Sequence, residues 1–210
     1  MVAAPYVMAR EQYAFEKEAV WIEPSNLIAG AISRADRSVT NGLGMGQPPS
    51  SEEEGKLRGV LSTRFEINTN GVKSMAAKQV NPVYRGVQKN FILSSTDTLS
   101  KDAVLRQYQT RRVIDYVAKR VGNVAWQIHG KLLTRPMVIE NFETPVKKLL
   151  ADMKNAGLIS GWRFTVNYDQ KLFNEGKLVV ELAVQPTMVA DSITINMAKT
   201  LDTMDFQKAG

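Results

Sequence analysis

Apolar and polar positions change period along the chain, and the change separates helical from extended segments. Between Thr98 and Val121, Ile114, Val117, Ala118 and Val121 recur at the three- and four-residue spacing of a core-facing helix. Thr98 or Ser100 can cap it, Asp102 falls in its first turn, Lys119-Arg120 in its last, and Gly122 is the predicted stop. A second helical region runs from Pro136 to Ala156, with Phe142, Val146, Leu149, Leu150 and Met153 on one face and Gly157 beyond its end. Pro145 must kink this helix or start a new one capped by Thr144. The period then falls to two. Trp162, Phe164, Val166 and Tyr168 alternate with polar residues and, after a turn at Asn174-Glu175-Gly176, so do Leu178, Val180, Leu182 and Val184. Beyond Gln185-Pro186-Thr187, Ile193, Ile195 and Met197 alternate with Ser192, Thr194 and Asn196. Helix, helix, hairpin and strand in that order predict an α+β fold, a small antiparallel or mixed sheet packed with two long helices.

The first half is less regular. Ser25 reads as an N-cap, and Leu27, Ala31 and Arg34 follow helical spacing. Residues 38–55, rich in Gly, Pro and Ser and ending in Glu52-Glu53-Glu54, read as a long mobile loop. Its Gly42-Leu43-Gly44-Met45-Gly46 run lacks the preceding strand, following Lys-Ser/Thr and helix start that a phosphate loop requires. Gly71 to Val80 predicts a short helix and Phe91 to Ser95 a short buried strand.

Composition narrows the chemistry. The 210 residues include no cysteine and one histidine, His129, which excludes disulfides, thiolate catalysis, Cys-type zinc sites and paired-histidine metal motifs. No apolar run approaches the roughly 20 residues of a membrane span. The Met1–Met8 stretch is broken by Pro5 and followed by Arg10-Glu11, unlike a secretory signal. No carboxylate, serine or histidine spacing marks a catalytic site, so no enzyme activity and no cofactor are expected. Trp126 and Trp162 lie in apolar-patterned stretches and are expected in the core. The net charge of +6 is uneven, −4 over residues 1–55, +11 over 56–148 and −1 over 149–210. The basic block suits nucleic-acid phosphates or an acidic surface on another subunit, although no aromatics interleave it as a stacking platform. Arg111 and Arg112, about 100° apart on a helix, cannot share a direction, so one is expected to support the core rim and the other to face a partner. The strand Ser192–Met197 carries no charge, and either folds onto its own sheet or pairs with another chain.

Several stretches carry a family resemblance: Pro24-Ser25-Asn26-Leu27-Ile28-Ala29-Gly30 with Arg34-Ala35-Asp36; Gln79-Val80-Asn81-Pro82-Val83; Ser94 to Ser100; Arg111-Arg112 with Tyr116-Val117; Gly157 to Trp162; and the closing strands. In this order they resemble the C-terminal region of contractile tail sheath proteins of bacteriophages and related contractile injection systems. Gln79 stands where that family has glycine. The resemblance implies a core domain over residues 24–190, a preceding segment 1–23 and a C-terminal arm over 191–210. It further implies a structural subunit that polymerises with copies of itself around an inner tail tube, in a virion or related particle, and contracts to drive the tube through a cell envelope. A preceding region or a second chain is expected to complete the subunit. Strand Ser192, Ile193, Thr194, Ile195, Asn196 and Met197 would enter a neighbour's sheet, and the Val146–Ala156 helix would turn Lys147, Lys148, Asp152 and Lys154 to the tube.

Overall fold

The structure is a computed structural model that describes residues 1–9, 19–38, 44–50 and 54–188. At the amino end, β1 (Val2–Ala4) and β2 (Val7–Ala9) are followed by β3 (Val20–Ile22). Helix α1 (Ser25–Arg37) buries Ile28, Ala31 and Ala35. Ser25 is its first residue and not its cap. Pro24 holds the cap position with φ already helical, and its carbonyl accepts the Ile28 amide at 2.9 Å. Strand β4 (Val60–Thr63) pairs antiparallel with β2, which also pairs with β3, so β2 is the centre of a three-stranded sheet. Helix α2 (Thr69–Ala77) begins earlier than its pattern suggests because the Asn68 side chain caps the Gly71 amide. It stops before Val80 because Gln79 turns left-handed, at φ 58°. Strand β5 (Val80–Arg85) pairs parallel with β1 and antiparallel with β6 (Phe91–Leu93). Val7, Ile28, Ala31, Leu57, Val83 and Leu93 close the core of this first lobe.

The predicted long helix is two helices. Short α3 (Ala103–Arg106), capped by the Asp102 carboxylate on the Val104 amide, is separated from α4 (Tyr108–Ile128) by extended Gln107. The Thr98 hydroxyl donates instead to the Leu105 carbonyl. Gly122 does not stop α4, since its solvent-facing position costs only about 1 kcal/mol and Val124, Ala125 and Ile128 continue the packing. The helix ends before Gly130, at φ 76°. Its buried stripe is Thr110, Val113, Val117 and Ile128, while Ile114 is only partly buried and Ala118 is exposed. Next come α5 (Arg135–Val138), a wide π turn at Ile139–Glu143, and α6 (Thr144–Asn155). Pro145 sits in the first turn of α6, where its missing N–H is tolerated, and the Thr144 hydroxyl donates to Ile139 across the π turn. Strands β7 (Ile159–Asn167) and β8 (Val179–Pro186) are joined through the short helix α7 (Gln170–Asn174). Trp162 opposes Val184, Phe164 opposes Leu182 and Val166 opposes Val180. That face covers the second core, built on Val113, Val117, Phe142, Val146, Leu150 and Met153. The fold is thus α+β, with small mixed and antiparallel sheets and several helices.

Residues 44–50, assigned from sequence to a mobile loop, lie between the lobes. Met45 enters the second core. A Cβ on Gly44 would stand 2.1 Å from the Asp36 carbonyl oxygen, so only glycine lets the two backbones meet.

Candidate assembly surfaces

Asp36 is fixed on both sides. Its backbone packs on Gly44, and its carboxylate takes both terminal nitrogens of Arg112 at 2.7 Å each. The guanidinium also lies 5.4 Å from the Tyr108 ring centre. The Asp36 hydrogen bond raises the Arg112 pKa above its usual value, against the opposing effect of burial. Arg112 therefore ties α4 to α1 within the chain. Arg111 points to solvent, and among the described residues its ion partner is its helical neighbour Asp115, at 2.9 Å. Arg112→Ala should cost about 1–2 kcal/mol, the scale of a partly buried bidentate pair, while Arg111→Ala should cost under about 0.5 kcal/mol in the isolated chain. Chemical denaturation of both variants checks the split, and equal costs would contradict it.

A polar junction joins the lobes a second time. Buried Asn81 donates to the Val2 and Asp97 carbonyls, both at 2.9 Å, and accepts from the Ser95 hydroxyl and the Asp97 amide. Both donors and both acceptor sites of its amide are filled. Asp97 in turn holds Arg106 at 2.7 Å, and Arg106 donates to the Ala76 carbonyl. Left-handed Gln79 donates to the carbonyls of Thr98 and Ser100.

The surface of α6 carries the four residues expected to meet a tube. Lys147, Lys148, Asp152 and Lys154 are all exposed, on the side away from Val146, Leu150 and Met153. Lys147 is partly neutralised by Glu143 one turn earlier and lies 5.9 Å from the Phe164 ring centre. Lys148 and Lys154 are therefore the freer cations of this face. Among the described residues the β7–β8 ribbon has no third strand on either side. Ser192, Ile193, Thr194, Ile195, Asn196 and Met197 lie outside the described residues. Sequence reasoning missed Trp126. It is 74% exposed, with its ring stacked on His129 at 4.8 Å, because the buried stripe passes through Val117 and Ile128 on another side of α4. Among the described residues no helix is long and apolar enough to cross a membrane, and no group of three or more acidic or histidine side chains is placed to hold a metal ion.

The family model of the phage tail sheath C-terminal domain matches residues 100–200, the stretch from the approach to α3 through α4, α6 and the β7–β8 ribbon. Residues 100–200 thus resemble a phage tail sheath C-terminal domain. Solved structures show the fold to extend beyond it. A chain of the anti-feeding prophage baseplate has a TM-score of 0.79 at 16% identity, over 95% of this chain and 54% of that one. The contracted sheath of the PVC extracellular contractile injection system gives 0.79 at 15%, over 95% and 56%. A sheath tail protein from Listeria innocua gives 0.56 at 11%, over 86% and 44%. The chain thus spans a little over half the length of the two injection-system chains. No curated protein matches it in sequence.

Proposed function

We propose that this chain is a structural subunit of a contractile tail sheath, which polymerises around an inner tube and contracts to drive it through a target envelope. The match of residues 100–200 to the phage tail sheath C-terminal domain carries this reading, and a ribbon of only two strands among the described residues offers an edge for self-association. In this reading the alternating segment Ser192–Met197 adds a strand to the β7–β8 ribbon of a neighbouring copy, with backbone hydrogen bonds giving affinity and alternate side chains giving register. Arg111 and the Trp126–His129 stack are further contacts between copies, since an exposed tryptophan is the residue type most often central to an interface. A preceding region or a second chain supplies what longer sheath subunits carry. Work comes from the difference between two packings of the same subunits, without covalent chemistry or cofactor.

The exposed face of α6 is assigned to the tube. A sleeve that must slide free is better served by screened polar contacts than by a buried apolar patch. The double variant Lys148→Glu, Lys154→Glu should fold normally and give empty sleeves and bare tubes when mixed with tube protein. Sleeves loaded with tube at unchanged yield and unchanged salt dependence would remove the assignment.

A further inference from the structure

The first lobe carries a second basic surface, remote in sequence from α6. A hollow of about 550 Å³ opens between the Lys56–Leu61 segment and the β5–β6 hairpin. Lys56, Arg58, Arg85 and Lys89 all line it, with Phe91 beneath. All four cations are exposed, and among the described residues none of them is in an ion pair. Arg85 is held against the wall, 5.4 Å from the Phe91 ring centre, which fixes a guanidinium that would otherwise be free to swing. Behind the hollow, Arg34 donates to the carbonyls of Glu54 and Lys56. Burial lowers the Arg34 pKa, and repulsion from Arg58 adds to the effect, with Glu54 partly offsetting both. Cationic charge is thus crowded here, with Glu54 and Glu66 nearby on its border.

Lys89 adds an independent observation. It sits at the hairpin tip with φ 62°, a left-handed conformation that glycine or asparagine adopts more cheaply. A lysine at that position costs backbone energy and puts a long cation at the mouth of the hollow.

We infer that this hollow is a docking site for a carboxylate-rich polypeptide segment of a partner chain. Four cations around an open, shallow hollow suit a few carboxylates in succession, with Arg85 packed on Phe91 as one donor. Among the described residues Phe91 is the single aromatic lining the hollow, with Arg85 over its ring, so no run of rings is offered to successive bases, which favours an acidic peptide over single-stranded nucleic acid.

The test titrates a fluorescein-labelled octaglutamate peptide into the full chain at low salt, alongside an eight-nucleotide single-stranded DNA. Octaglutamate should bind, and the double variant Arg58→Glu, Lys89→Glu should weaken it at least about tenfold. A charge-matched reversal elsewhere, Lys101→Glu with Lys171→Glu, should change it less than about twofold. Lys89→Gly suits the left-handed backbone and removes one cation, so it should weaken binding while holding or raising thermal stability. Absence of octaglutamate binding would overturn the inference. So would equal weakening by the two reversals, which would show a diffuse charge effect, or DNA binding at the hollow in place of the peptide. None of these outcomes bears on whether the chain polymerises as a sheath.

Discussion

A chain ended at Met188 is expected to keep its fold and to stay monomeric at concentrations where the full chain polymerises. The shortened chain retains all of β8 and the bond from the Thr187 amide to the Leu158 carbonyl, so the described fold is left whole. It loses Ser192–Met197, the strand proposed to pair with a neighbour. A six-residue strand forms about four to six backbone hydrogen bonds, each net about 0.5–1.5 kcal/mol, so subunit affinity should fall by at least a hundredfold, or about 2.7 kcal/mol. Sedimentation velocity across a concentration series reads this directly. Ile195→Pro removes one ladder donor at full length and should act in the same direction. If the truncated chain instead polymerises at an unchanged threshold, strand exchange is wrong. If it melts lower and binds a hydrophobic dye, the segment folds onto its own ribbon.

The second large effect concerns Asn81. Replacing it with Ala leaves the Val2 carbonyl and both backbone groups of Asp97 without their partner in a buried site. At about 1–3 kcal/mol for each orphaned group, less relaxation, the loss should be roughly 3–5 kcal/mol. For a chain of this length that lowers the melting temperature by about 10 °C. A shift under about 2 °C would show that the junction does not hold the lobes together.

The legible parts of the fold were those set by local repetition. Alternation at Trp162, Phe164 and Val166 and at Val180, Leu182 and Val184 reproduced the ribbon, because those residues have one face on a core and one in water. The stripe Phe142, Val146, Leu150, Met153 was equally clear. What failed depended on contacts distant in sequence. Gly122 looks like a stop until Ile128 is seen packing beyond it, and Trp126 looks like core until the buried side of α4 is known. Glycines 44 and 46 read as loop punctuation, whereas Gly44 is needed for the approach to Asp36. Adjacent Arg111 and Arg112 were expected to diverge, but only the position of Asp36 shows which one turns inward. The left-handed turn at Gln79, at φ 58°, follows from no local pattern, because glutamine is not a residue that favours that conformation.

The central claim, self-assembly into a contractile sleeve, is tested most directly by electron microscopy of the full chain produced together with a matching tube protein. The account predicts hollow, helically ordered sleeves around tube, and a shorter, wider form of the same sleeves once contraction is triggered. Discrete small oligomers or isolated monomers at every concentration, with no helical order beside intact tubes, would contradict it.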